Sequence, residues 1–172
     1  MAKRIGAFAG LPLLSSLAPF LLLPYIARVG GEGTWNSLAV GQAVGSLAAI
    51  LVALGWTLSG PARVAGTSDP GLRRRLYAIS LLTRLMAFAV CLPVLAGIAA
   101  LYGGAGHFWE TFLMAGAQAA AGLSPAWYCI ATGEAGKIAR YDVLPRIIAT
   151  IVCVPVLLAT GLIILYPAAI LA

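Results

Sequence analysis

The run SLAVGQAVGSLAAILVALGWTLSG, residues 37–60, carries no charged side chain and is long enough to cross a bilayer as a single helix. Crossing a hydrocarbon core of roughly 30 Å requires about 20 consecutive apolar residues, because each residue adds about 1.5 Å of helical rise. Further apolar runs of similar length lie at 5–29, 79–102, 108–131 and 143–166. The pattern predicts an all-α integral membrane protein with about five transmembrane helices in a single membrane domain, residues 1–172.

The composition of the chain favours the same class. Of its 172 residues, 62% are hydrophobic and 9% are charged, and the mean hydropathy is +0.99. An ordinary soluble domain is about 25% charged. The composition therefore argues against a soluble enzyme or a soluble binding module.

Positive charge predicts the orientation of the spans, because short loops rich in Lys and Arg stay in the cytoplasm. With the N-terminus in the cytoplasm, the residues on the cytoplasmic side of the membrane are Lys3, Arg4, Arg63, Arg73, Arg74, Arg75, Lys137 and Arg140. The opposite side receives only Arg28, and the C-terminus is then periplasmic. Since this distribution accounts for the net charge of +6, we expect no nucleic-acid partner.

The third and fifth apolar runs share a pattern of residues displaced by 62 positions, in which Arg84, Cys91 and Pro93 recur as Arg146, Cys153 and Pro155. Repeated helical units are common in transporters, whose binding cavities form where the repeats meet. The alternative is that these residues match by chance, because apolar runs contain few types of residue. The two prolines occupy corresponding positions, where each removes a backbone hydrogen bond.

Small residues indicate which helix faces pack together. Gly41 and Gly45 form a GxxxG face in the second run, and Gly116 and Ala120 form a similar face in the fourth, so we expect close helix contacts there. The aromatic residues near the ends of the runs are typical of an interfacial belt. They include Trp35, Trp56, Trp109, Trp127, Tyr77, Tyr102 and Tyr128.

Polar side chains inside the predicted spans are candidate functional groups, because they are costly in lipid. Gln118 lies nearest mid-depth, where an interhelical hydrogen bond or a substrate contact would explain it. Arg84 and Arg146 lie near the cytoplasmic boundary, where each guanidinium either snorkels to the interface or lines a cationic cavity that binds phosphate. Arg28 on the outer side either pairs with Glu32 or offers charge to an anionic substrate.

Signals for catalysis or metal binding are weak. His107 is the only histidine and lies three residues before Glu110, without partners for a metal site or a catalytic triad. Phosphate-loop, HExxH and GxSxG motifs do not occur, and the cysteines lack CxxC spacing. We therefore expect no enzyme activity, no metal and no cofactor.

Two stretches carry a resemblance to a known family. Residues 17–65 contain LPYIARVGG and a small-residue helix that ends in LSGPARVA, and residues 118–148 contain LSPAWY before a charged segment. Together they resemble the Wzx-type polysaccharide biosynthesis flippases of the multidrug/oligosaccharidyl-lipid/polysaccharide exporter superfamily. The matching positions are Leu23, Pro24, Tyr25, Arg28, Leu58, Ser59, Arg63, Ala65, Leu123, Ser124, Pro125, Trp127 and Tyr128, with Gly31 one position late.

The resemblance implies translocation of an undecaprenyl-pyrophosphate-linked oligosaccharide across the bacterial inner membrane by alternating access between two helical lobes. It also implies a cationic cavity for the acidic substrate, to which Arg28, Arg63, Arg84 and Arg146 would contribute. Members of the family have about twelve or more helices in two lobes, whereas this chain offers five. We therefore expect a partial N-terminal lobe of a two-lobed MATE-like fold, as a fragment or with a second lobe or partner chain.

Two other classes of function stay open at this stage. The first is a small membrane protein without transport activity, which scaffolds a glycan-assembly complex through its GxxxG face. The second is a lipid-modifying membrane enzyme that depends on Glu110 or His107. Partners expected in every case are membrane lipids, and for the transporter also the lipid-linked oligosaccharide.

Overall fold

The computed structural model describes residue 28 and residues 30–104, 106–133, 136, 140, 144–160, 164, 166–167 and 170. Apart from Arg28, the predicted first span, 5–29, lies outside these residues. In chain order the helices are α1 (30–53), α2 (Trp56–Ala65), α3 (Pro70–Tyr102), α4 (Phe108–Ala120), α5 (Ala126–Ala131) and α6 (Leu144–Thr160). A short 3-10 helix, Ala121–Leu123, separates α4 from α5. The prediction of an all-α chain is confirmed over the described residues.

Two segments of the described chain are long and apolar enough to cross a membrane. They are Gly30–Ala65, which comprises α1 and α2 in 36 residues, and Pro70–Tyr102, which is α3 with 33 residues. Core helices of soluble proteins can have similar length and composition, but they are mostly buried. Only 11% of the most apolar stretch of α3 is buried within this chain, so much of its apolar surface is left for lipid or for other helices.

The prediction of five spans is not met, since the described residues contain two such segments. The fourth apolar run is divided into helices of 13 and 6 residues by the 3-10 helix and by Ser124 and Pro125. Each piece is shorter than the roughly 20 residues needed to cross the hydrocarbon core. The fifth run is described as a helix over 17 residues, Leu144–Thr160. Hydropathy detects the apolar run but not the local backbone geometry that interrupts it.

The first candidate span contains a break between α1 and α2. Leu54 and Gly55 both have left-handed backbone conformations, with φ of 47° and 70°. Gly55 adopts this conformation without a steric penalty, whereas an L-residue such as Leu54 loses about 1–2 kcal/mol there. Packing on both sides of the break must offset this cost.

The loop before α3 is closed by hydrogen bonds to its own side chains. The Asp69 carboxylate accepts a hydrogen bond from the Gly71 N–H at 2.8 Å, and Pro70 occupies the first helical position, as expected for a helix start. Arg73 donates from Nε and Nη2 to the Thr67 carbonyl at 2.9 and 2.6 Å. This arginine therefore stabilises the loop as well as carrying charge.

Helices α1 and α4 pack closely through small residues. A β-carbon placed on Gly41 would lie 2.6 Å from the Thr111 carbonyl oxygen, and one placed on Gly45 would overlap the Ala115 carbonyl oxygen. The predicted role of the GxxxG face in helix contact is confirmed. On α4, however, Gly116 has open space around it, so the expectation that it packs there was wrong.

Helix α3 runs antiparallel to both of these helices. Ser37 at the start of α1 donates to the Gly103 carbonyl just after α3 at 2.9 Å, whereas Arg84, nearer the start of α3, contacts residues beyond α4. Between these ends lies a hydrophobic core formed by Ala48, Leu95, Ala115 and Ala119. The three-helix packing therefore has α3 against a parallel pair, α1 and α4.

Candidate functional site

The candidate site surrounds Trp127 on the short helix α5. Trp127 is 2% exposed, and a β-carbon on Gly60 of α2 would overlap its ring, so α2 and α5 approach closely there. The ring centroid lies 5.6 Å from that of Trp56, 6.5 Å from that of Tyr77 and 5.7 Å from that of Tyr128. These spacings are typical of favourable aromatic pairs.

Arg84 reaches the same cluster from α3. Its side chain is 1% exposed, and its guanidinium carbon lies 5.8 Å from the centre of the Trp127 ring, within the range of a cation–π interaction. Nη1 donates to the carbonyl oxygens of Gly122 at 3.2 Å and Ser124 at 3.0 Å, and Nε donates to the Ser80 carbonyl at 3.2 Å. The guanidinium thus binds carbonyls at the interruption between α4 and α5.

Arg63 lies at the other side of the cluster, on the last turn of α2. It is exposed, and its guanidinium carbon lies 5.5 Å from the centre of the half-buried Trp56 ring. Two tryptophans, Trp56 and Trp127, therefore join the exposed Arg63 to the buried Arg84. We call these four residues, together with Tyr77 and Tyr128, the arginine–tryptophan cluster.

The cluster carries two positive charges. Within the described part of the chain neither guanidinium forms an ion pair with a carboxylate. Three buried groups in or beside the cluster lack a hydrogen-bond partner: Arg84 Nη2, Trp127 Nε1 and Ser80 Oγ. An exposed guanidinium can donate two parallel hydrogen bonds to a phosphate or carboxylate. The neighbouring indole of Trp56 offers an apolar face beside that charge.

The other predicted site residues lie elsewhere. Arg28 is exposed and lies just before α1, whereas Arg63 lies near the other end of the segment 30–65, in α2. Gln118 is half-buried, and its β-carbon packs against Gly45 at the contact between α1 and α4. Arg146 lies within α6, and its side chain is outside the described residues. The structure therefore places Arg63 and Arg84 in one cluster through Trp56 and Trp127, and Arg28 at the other end of the segment 30–65.

The aromatic half of the cluster was missed by the sequence analysis, which assigned Trp56, Trp127, Tyr77 and Tyr128 to an interfacial belt. Trp127 is instead buried between helices. The LSPAWY motif held the only available signal, because the proline, two residues before the aromatic pair, marks the start of a new helix inside an apolar run. Burial of that tryptophan depends on Gly60, which is far away in the sequence.

A second polar group lies at the opposite end of the helices. His107 Nδ1 is 3.6 Å from a carboxylate oxygen of Glu110, and His107 Nε2 would lie 3.0 Å from a β-carbon on Gly33. Among the described residues no cluster of three or more His, Cys, Asp or Glu side chains could hold a metal ion. The packing against Gly33 gives His107 a role in joining α1 to the start of α4.

Comparison with known proteins assigns no family. No protein-family model, curated protein or solved structure matches this chain.

Proposed function

We propose that this chain forms part of the N-terminal lobe of a bacterial inner-membrane flippase that moves an undecaprenyl-pyrophosphate-linked oligosaccharide. The observation that carries the proposal is the arginine–tryptophan cluster. Arg63 and Arg84 come from different helices, and both are candidates from the sequence alone. Arg63 contacts the Trp56 ring, Arg84 contacts the Trp127 ring, and the two rings contact each other. This cluster lies at the end of the helices predicted to face the cytoplasm. The proposed flippase would take up its lipid-linked pyrophosphate from that side.

The two arginines would act differently on such a substrate. Arg63 is exposed and can donate hydrogen bonds to a pyrophosphate directly. Arg84 is buried and uses Nη1 and Nε on backbone carbonyls, so it would contribute mainly through its charge. That charge acts more strongly at low dielectric than it would in water. Sugar residues next to the pyrophosphate would pack against the Trp56 face.

The remaining candidates fit the proposal as parts of a larger cavity. A second lobe or partner chain would complete the transport cavity. Other parts of that cavity would be lined by Arg28, Arg146 and Gln118. Apolar side chains exposed on α2 and α3, such as Leu58 at 87% exposure, would face lipid or that second lobe. The MATE-like lobe and the multi-pass location belong to the same proposal, which assigns no catalytic residue.

The GxxxG face predicted for the scaffolding alternative is not free to bind a partner. It requires the Gly41–Gly45 face to bind a partner, but this face is buried against Thr111 and Ala115 within the chain. A scaffold would have to bind its partner through another surface, such as the exposed apolar face of α3.

Binding of undecaprenyl pyrophosphate by the purified full chain in lipid nanodiscs tests the proposal. We expect Arg63→Gln to weaken binding by about tenfold or more, because a hydrogen bond to a charged group contributes about 1.5–3 kcal/mol and 1.4 kcal/mol corresponds to a factor of ten. Arg74→Gln, which removes an exposed charge outside the cluster, serves as the matched control. Equal binding of undecaprenol, or equal losses in the two variants, would contradict the assignment.

A further inference from the structure

Two helical segments of this protein are interrupted at the same level. The first interruption is Leu54–Gly55 between α1 and α2, and the second is the stretch 121–125 between α4 and α5. A β-carbon on Gly122 would lie 2.5 Å from the Ala49 carbonyl oxygen and 2.9 Å from the Val52 side chain, directly before the first interruption. The two breaks are therefore neighbours in space.

Contacts follow the same order along both segments. Gly41 faces Thr111, Gly45 faces Ala115, and Gly122 faces Val52. Beyond the breaks, Gly60 of α2 faces Trp127 of α5. The two segments run parallel, so that α1 packs on α4 on one side of the breaks while α2 packs on α5 on the other.

Arg84 connects the second break to the uninterrupted helix α3. The C-terminal end of a helix carries the negative end of the helix dipole, which favours a cation there. The Arg84 guanidinium supplies this positive charge at the end of α4, and its Nη1 donates to the Gly122 and Ser124 carbonyls. It is a tethered cation at the second break, and its cation–π contact with Trp127 connects it to the α2–α5 pair.

Backbone strain lies at the other break. Leu54 has a φ of 47°, a conformation that costs energy for any residue with a β-carbon. Such a residue persists only where surrounding packing determines its conformation, and here that packing is the contact of α1 with α4 and of α2 with α5. Release of one contact would let the first segment change its angle.

We propose that the coincident breaks form one hinge, about which α2 and α5 move as a single unit relative to α1 and α4. Arg84 holds the resting arrangement as a positioning residue. Movement about this hinge does not depend on which substrate the protein binds. A continuous helix at either position would remove the hinge.

Distances between pairs of spin labels, measured by electron–electron double resonance on the full chain in nanodiscs, test this proposal. Labels replace exposed residues of a variant without native cysteines. Pairs 47–58 and 113–130 span the first and second break, and pair 58–130 lies within the proposed unit. The positions are Leu47, Leu58, Leu113 and Ile130, all of which are exposed.

The decisive variant is Gly55→Ala, which leaves Arg84 unchanged and disfavours the positive φ of the first break. We expect the most probable distance to change for both pairs that span a break, including 113–130 on the other segment, while the distance for 58–130 stays constant. A change confined to 47–58, a change in 58–130, or no change would overturn the proposal.

Arg84→Gln provides an independent measurement. We expect the distance distributions of 47–58 and 113–130 to widen at least twofold while that of 58–130 keeps its width, with Arg84→Lys intermediate. Widening of all three would indicate general loss of packing and would contradict the hinge, as would no widening. Far-ultraviolet circular dichroism shows whether the variant remains folded, and if it does not, the Gly55→Ala result decides alone.

Discussion

Substitution of Gly45 by alanine gives the sharpest test of the packing between α1 and α4. A β-carbon at this position would overlap the Ala115 carbonyl oxygen and would lie 2.7 Å from the Gln118 β-carbon and 2.8 Å from the Ala115 α-carbon. Two of these three atoms belong to the backbone, which cannot move away by changing a rotamer. The two helices would have to separate to admit one methyl group.

The magnitude follows from two opposing terms. Overpacking of a closely packed contact costs about 1–3 kcal/mol. Replacing glycine with alanine inside a helix gains about 0.5–1 kcal/mol through backbone entropy and helix propensity. The midpoints of these ranges give a net loss, so we expect Gly45→Ala to lower the free energy of unfolding by about 1 kcal/mol, and by about 2.5 kcal/mol at most.

Gly116 provides the matched control, because it lies in α4 and a β-carbon there would meet no atom within 4 Å. Only the propensity term applies, so Gly116→Ala should raise the free energy of unfolding by about 0.5–1 kcal/mol. Reversible denaturation in detergent micelles, followed by tryptophan fluorescence, measures both variants against the unsubstituted chain. If Gly45→Ala is as stable as Gly116→Ala, the close parallel contact of α1 and α4 is refuted.

Two further predictions concern the first break and the membrane. Leu54→Gly should raise the free energy of unfolding by about 1 kcal/mol, because glycine tolerates the φ of 47° that strains leucine. A lower free energy of unfolding in the same denaturation experiment would indicate that contacts of the Leu54 side chain stabilise the fold by more than the backbone strain costs. In a variant without native cysteines, a membrane-impermeant maleimide should label Gly104→Cys in intact cells but label Arg74→Cys only after permeabilisation, as the charge distribution predicts. Labelling of both in intact cells would exclude the proposed orientation.

The helical class of the chain could be predicted from local information. An uncharged apolar run such as 37–60 favours a helix in lipid, because backbone groups there must form hydrogen bonds within the segment. The GxxxG spacing of Gly41 and Gly45 also predicted a contact correctly, since residues four apart share a helix face. Both inferences need only periodicity and composition.

The number of continuous helices could not be predicted in this way. Hydropathy treats 108–131 as one run, yet Pro125 follows a 3-10 turn there and divides the run into short pieces. The break at Leu54 is less visible still, because leucine is a good helix former and its left-handed conformation runs against its local preference. Contacts with a parallel neighbour stabilise what the local sequence disfavours.

For the candidate site, the sequence by itself determined which residues carry charge and where along the helices they fall, so Arg63 and Arg84 could be selected as candidates. Only the tertiary structure decided that Trp56 and Trp127 lie between them, that Arg84 is buried and donates to the Gly122 and Ser124 carbonyls, and that Arg63 is exposed. The physical reason is that periodicity specifies a face of one helix, whereas burial and hydrogen bonding depend on which other helix covers that face.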